Sequence, residues 1–316
     1  MFLRLKTILA ILAVDTGILL SQQLPFSNQY LINRQSLSPA YAGITGNFET
    51  FVSYQKNSLQ FPGGPEYKSL FLSGPVYANM SLGASVSKSS VTIFNGISGQ
   101  LDYAYHLRIS DKQFVHFGLS FAYNEDYLFL DYNQIQSLQG DPYGMEPRKS
   151  MSYGFGLIYA FQNFQLGITI PRLGEFRITN HNAGGDYSVS GFGRIHASYL
   201  FDLSQSFSIE PSVVVDKSET EPLWYNASAL VRIKQITWLE VHYRQGGIIG
   251  MGIGINPTKK MVFSYTYDLS GTGLMKYSAG IHEISVGFQI GNNSDKPYQK
   301  SAFRSLPKQP YYDWIK

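Results

Sequence analysis

Ile97-Ser98-Gly99-Gln100-Leu101-Asp102-Tyr103-Ala104-Tyr105-His106-Leu107-Arg108 alternates without a break. On an extended chain Ile97, Gly99, Leu101, Tyr103, Tyr105 and Leu107 fall on one face, with Ser98, Gln100, Asp102, Ala104, His106 and Arg108 on the other. A period of two marks a β-strand with unlike faces. The same rhythm follows at once, with Val115, Phe117, Leu119, Phe121 and Tyr123 opposite His116, Gly118, Ser120, Ala122 and Asn124. It returns in Tyr153–Phe161 and in Met261–Asp268. In water the apolar face of such a strand packs on a core. In a membrane barrel it meets lipid, and the polar face lines the interior. The period alone fits both.

Two features favour the barrel. The polar faces are rich in Gly, Ser and Ala rather than Lys and Glu, as an enclosed lumen requires. The apolar faces often end in Tyr or Phe, as interfacial girdles do. Composition agrees: charged residues are 15% of the 316-residue chain, against about a quarter in an average soluble protein. Aromatic residues are also 15%, with 23 Tyr, 21 Phe and 3 Trp. Beyond the N-terminus there is no 18-residue apolar run to form a spanning helix. Closure would remove the open edges that so long a sheet otherwise presents.

The expected fold is therefore all-β, a transmembrane antiparallel β-barrel of about 14 strands, within a range of 12 to 16. Strands are predicted near residues 47–56, 66–76, 79–88, 96–109, 113–124, 150–161, 163–171, 191–201, 206–216, 223–234, 236–244, 247–255, 260–268 and 280–290. Short turns such as Ser110-Asp111-Lys112 and Gln162-Asn163 join them, and longer connections fall at Glu125–Lys149 and Arg172–Ser190. An even strand number puts both termini on the periplasmic side. With periplasmic termini, turn parity is inconsistent with the two long connections unless one strand is miscounted, and their side is left unassigned.

The domain reading has four parts. Met1–Ser21 reads as a secretory signal peptide, with Arg4 and Lys6 before an apolar run from Thr7 to Leu20. Residues 22–46 do not alternate, hold Pro25 and Pro39, and are expected to be extended and irregular. Residues 47–291 form the barrel. Residues 292–316 form a basic tail, whose five cations and two anions equal the whole chain's net charge of +3. In that tail Lys300, Phe303, Arg304, Tyr311, Tyr312 and Trp314 interleave charge with aromatic rings. The tail reads either as a solvated end or as a partner-docking peptide. With the charge confined there, no nucleic-acid-binding face is expected. Cysteine is absent, which excludes a disulfide framework, a thiolate metal site and a lipid-anchored N-terminal Cys.

No motif points to catalysis, a metal or a cofactor, and none is expected. Asp102 and His106 stand roughly 13 Å apart along one strand, too far for a direct bond. With Arg108 they are candidates for a polar network in the lumen that uses cross-strand partners. Glu240 and His242, with Arg244 and Trp238 beside them, form a similar ladder. His282 and Glu283 are adjacent, so one points inward and the other toward lipid or a partner. Gly250-Met251-Gly252-Ile253-Gly254 lies within an alternating strand and opens no helix, so it is no dinucleotide loop. Its glycines suggest an interior face lying close to a plug or folded-in segment. No Gly-x-Ser-x-Gly elbow is present.

Four phrases, in order, carry a family resemblance. They are Phe26-Ser27-Asn28-Gln29-Tyr30-Leu31-Ile32-Asn33 with Ser38-Pro39-Ala40-Tyr41-Ala42-Gly43; Phe61-Pro62-Gly63-Gly64-Pro65; Trp238-Leu239-Glu240-Val241-His242-Tyr243-Arg244; and Ser264-Tyr265-Thr266-Tyr267-Asp268 with Gly280–Phe288, which contains His282-Glu283. Together they resemble the PorP/SprF family of outer-membrane proteins tied to type IX secretion in gliding and related Bacteroidota. The chain departs from the family pattern with Asn28 inserted, Ser38 in place of Asn, and Ile281 in place of Ser. The resemblance implies a non-catalytic barrel in outer-membrane lipid that serves protein export. Its implied partners are the translocon, the periplasmic ring lipoprotein and motor-linked proteins, or a secreted surface adhesin. Residues 22–46, the loops and the tail would contact them. The alternatives are a passive channel for small or hydrophobic solutes and a periplasmic β-sandwich or propeller.

Overall fold

The computed structural model describes residues 27–57, 63–128, 147–178, 192–204, 206–218, 222–234, 236–269 and 280–291. The strands are β1 (Phe48–Asn57), β2 (Glu66–Tyr77), β3 (Met80–Val91), β4 (Phe94–Ser110), β5 (Gln113–Leu128), β6 (Arg148–Phe161) and β7 (Phe164–Arg177). They continue as β8 (Phe192–Tyr199, resuming at Phe201–Asp202), β9 (Phe207–Ser218), β10 (Trp224–Ile233), β11 (Thr237–Arg244), β12 (Ile248–Thr258), β13 (Met261–Leu269) and β14 (Ile281–Ile290). Each pairs antiparallel with its neighbours in sequence. β1 then pairs with β14, from Phe48 opposite Ile290 to Asn57 opposite Ile281, and closes a 14-strand barrel. A sheet closed on itself is neither a sandwich nor a propeller.

The register fixes the faces. Ser53 lies opposite both Ser69 and Ser285, and Asp102 opposite both Gly83 and Ser120. Positions of one parity on each strand therefore point inward together. The outward set is apolar: Leu101, Leu119 and Val241 are each more than half exposed. A continuous apolar exterior of this kind is a lipid-facing surface.

β5, β6 and β7 run further than their alternation predicts. Glu125 pairs with Lys149 and Asp126 with Arg148, so the ladder continues where the apolar face stops. The expected loops at Glu125–Lys149 and Arg172–Ser190 are correspondingly shorter. Both join an odd-numbered strand to the following even one, so both fall at the same end, and parity raises no conflict. That loop end also takes the connections before β2, β10 and β14. The opposite, turn end holds tight links such as 78–79, 111–112 and 162–163, where Ala78 and Gln162 adopt left-handed φ of 45° and 51°. β1 begins and β14 ends at the turn end.

The N-terminal segment departs most from expectation. Residues 27–47 are irregular but not extended; they fill the lumen as successive turns, including short 3-10 turns at Arg34–Ser36 and Pro39–Tyr41. Asn28, Gln29, Tyr30, Leu31, Ala40, Tyr41 and Ala42 are all buried. Enclosed this way, they are not available to partners.

Candidate functional site

The arrangement most open to functional reading is the lumen and the segment seated in it. At the loop end Ser27 Oγ and the Asn28 backbone N–H each donate to the Glu283 carboxylate, at 2.7 and 2.8 Å. Asn28 Nδ2 donates to Asp268 at 3.0 Å, and Arg244 donates to Asn28 Oδ1. Asp268 also accepts from His242 Nε2 at 2.9 Å, with Glu240 beside the same imidazole. Charged groups enclosed in a protein are tolerated when paired in this way.

Further along, the Tyr30 hydroxyl meets Ser212 at 2.7 Å and also Ser228. Gln35 Nε2 donates to Asp102 at 2.9 Å. The Arg34 guanidinium sits on Glu210 and donates to Gln165 at 2.6 Å, while Arg232 holds the other Glu210 oxygen at 2.8 Å. Near the turn end the Tyr41 hydroxyl meets His196 at 2.8 Å, and the Ala42 carbonyl accepts from His106 at 3.0 Å. Apolar packing completes the seat: Leu31, Ile32, Leu37 and Ile44 join Phe51, Ile158, Trp224, Leu230 and Trp238 in one buried cluster. A cleft between the segment and β1–β2 holds about 20 Å³, room for about one water.

Glycines admit the segment to the wall. A Cβ on Gly118 would lie 2.2 Å from the Ala40 backbone N, and one on Gly156 2.1 Å from Ser38 Oγ. Gly43 needs its freedom twice: its φ is +62°, and a Cβ there would lie 2.5 Å from Ser81 Oγ. Ser38 accepts from the Ala40 N–H and starts the Pro39–Tyr41 turn.

Of the predicted lumen residues, Asp102, His106, Glu240 and His242 face the interior and are buried. Arg108 does not join them; it lies exposed at the turn end of β4, paired with Asp111, because the strand there outruns the lumen. The glycine ladder of β12 also reads differently from expectation. Gly250 and Gly254 give room to His242 and Trp238 of the preceding strand β11, whereas Gly118 and Gly156 face the segment. His282 and Glu283 point oppositely. Glu283 holds the segment, while His282 accompanies Tyr265 (hydroxyl to Nδ1 2.7 Å) and Tyr267 (rings 4.9 Å apart) on the outer face. Tyr243 is likewise outward, and Trp238 and Arg244 inward. Pro39–Gly43 lie in the seat, and Gly63 and Pro65 lie between β1 and β2. Pro62 and the tail residues Lys300, Phe303, Arg304, Tyr311, Tyr312 and Trp314 lie outside the described residues. Among the described residues no three His, Cys, Asp or Glu side chains converge as a metal site. Sequence reasoning missed Asn28, Arg34, Gln35, Glu210 and His196; only the inward parity of the last two was readable in advance.

A closed barrel with a lipid-type exterior and a polar, occupied lumen defines a transmembrane β-barrel of the outer membrane. The sequence model described as "Type IX secretion system membrane protein PorP/SprF" matches residues 19–288, and the chain belongs to that family. It is thus a membrane component of type IX secretion. Solved barrels of similar outline include the toluene transporter TbuX of Ralstonia pickettii, at 11% identity and TM-score 0.48, covering 80% of this chain and 91% of that one. Omp33 of Acinetobacter baumannii follows at 9% and 0.47, covering 78% and 100%. The monoaromatic hydrocarbon channel CymD stands at 13% and 0.48, covering 86% and 95%. None of these likenesses bears on what this chain does. No curated protein matches the sequence.

Proposed function

We propose that the protein acts without catalysis, as an outer-membrane anchor that assists export of a surface protein or adhesin through protein–protein contacts. The observation that carries the reading is the occupied lumen. Residues 27–46 engage inward side chains from most of the strands, and little room is left for solute. A passive channel needs an open path, and a lumen in which Tyr30, Leu31, Ala40 and Tyr41 are almost fully buried disfavours one.

In the orientation we propose, the turn end faces the periplasm and the loop end the cell exterior, as short turns and longer loops are distributed in such barrels. The tail, including Lys300, Phe303, Arg304, Tyr311, Tyr312 and Trp314, then docks a periplasmic ring or motor-linked partner. Deletion of the protein tests the reading. The strain should lose a particular surface protein and keep its permeability to small solutes. A permeability defect with normal secretion would favour the channel instead.

A further inference from the structure

The seated segment has a direction. Asn47 precedes β1 at the turn end, and a Cβ on Gly291, just past the end of β14, would lie 2.9 Å from its Oδ1. The Ala42 carbonyl meets His106 near the turn end of β4, and Arg34 reaches Gln165, the second residue of β7. Tyr30 lies mid-strand against Ser212 and Ser228. Ser27 and Asn28 then meet Glu283, two residues from the loop-end start of β14, and Asp268, one residue from the loop-end finish of β13. In about twenty residues the chain has crossed the barrel. Behind Ser27 the lumen is occupied by Tyr30, Leu31, Ile32 and Tyr41, all almost fully buried.

We propose that the two termini leave the barrel at opposite ends. Residues preceding Ser27 emerge at the loop end, and the tail after Gly291 begins at the turn end. The crossing stands on its own; that the loop end is outside the cell rests on the orientation proposed above. In that orientation the arm before Ser27 is available to partners on the cell surface and the tail to partners in the periplasm. A single polypeptide seated in the lumen connects the two. This revises the expectation, drawn from strand parity, that both termini are periplasmic. Parity fixes where β1 begins, not where the chain before it has been.

The chain contains no cysteine, so single substitutions report cleanly. Gln23→Cys tests the arm, Ser137→Cys the loop end and Asp111→Cys the turn end. Each is expressed in the full chain in native outer membranes and checked for heat-modifiable migration as a folded barrel. A membrane-impermeant maleimide is applied to intact and then to permeabilised cells. Gln23→Cys is expected to label with Ser137→Cys on intact cells, and Asp111→Cys only after permeabilisation. Grouping of Gln23→Cys with Asp111→Cys would overturn the proposal whatever the orientation. Protection of Gln23→Cys until denaturation would overturn it too. If Ser137→Cys and Gln23→Cys group together but label only after permeabilisation, the crossing stands and the orientation is wrong.

Discussion

Gly118→Ala should unseat the N-terminal segment while leaving the barrel wall intact. The added Cβ would stand 2.2 Å from the Ala40 N and 2.6 Å from both the Ala40 Cα and the Pro39 carbonyl carbon. All three are backbone atoms, so no side chain can swing aside. Reaching ordinary contact needs a retreat of roughly 1 Å or more. Such a shift stretches the bonds from His106 to the Ala42 carbonyl, now 3.0 Å, and from Tyr41 to His196, now 2.8 Å, beyond hydrogen-bond range. Overpacking costs about 1–3 kcal/mol, and each buried polar group left unsatisfied costs about 1–3 kcal/mol more. Even the low end, about 3 kcal/mol in total, lowers the ratio of seated to unseated segment about a hundredfold. Hydrogen exchange read by mass spectrometry on detergent-solubilised protein should show that loss over residues 27–46, with strand amides unchanged. Gly99→Ala is the control, since a Cβ there meets nothing within 4 Å. Protection of residues 27–46 in Gly118→Ala within a factor of about two of wild type would refute the reasoning.

Glu283→Ala removes the acceptor of both Ser27 and Asn28. Each charged hydrogen bond is worth about 1.5–3 kcal/mol, so the Asn28 amide should lose protection while amides near Ala42 keep theirs. Arg34→Met leaves Glu210 with Arg232 alone and should weaken the seat by about 1–3 kcal/mol. The fluorescence of Trp224 and Trp238, both in the buried cluster, reads this as a lower melting midpoint. Removing residues 292–316 should leave a folded barrel that no longer recovers its periplasmic partner.

The wall was legible and the lumen's occupant was not, for physical reasons. Lipid outside and a polar interior force strict alternation, which is why Ile97–Arg108 alone announces its two faces. Where the strands pass beyond lipid that demand lapses, and Glu125, Asp126, Arg148 and Lys149 extend the sheet without an apolar rhythm. Residues 27–46 have no period because they are surrounded by the wall and meet many strands, from Glu283 of β14 to Asp102 of β4 and Gln165 of β7, rather than one flat face. The bond from Asn28 to Glu283 spans 255 residues of sequence. The phrase Pro39–Gly43 stood out by resemblance, but its chemistry follows only from the seat. There Ala40 lies against Gly118, Ala42 offers its carbonyl to His106, and Gly43 passes Ser81 in a left-handed turn. Gly118 and Gly156 were visible as small inward residues, yet nothing local distinguishes them from Gly250 and Gly254, which serve side chains of the wall.

The most direct test of the central claim is affinity purification of the tagged protein from detergent-solubilised outer membranes. Co-purifying proteins are identified by mass spectrometry, and the same preparation is placed in planar bilayers. A barrel that works through protein contacts with its lumen occupied predicts recovery of type IX translocon, ring or adhesin components and no steady single-channel conductance. Recovery of the barrel alone, with clear conductance from the wild-type chain, would contradict it.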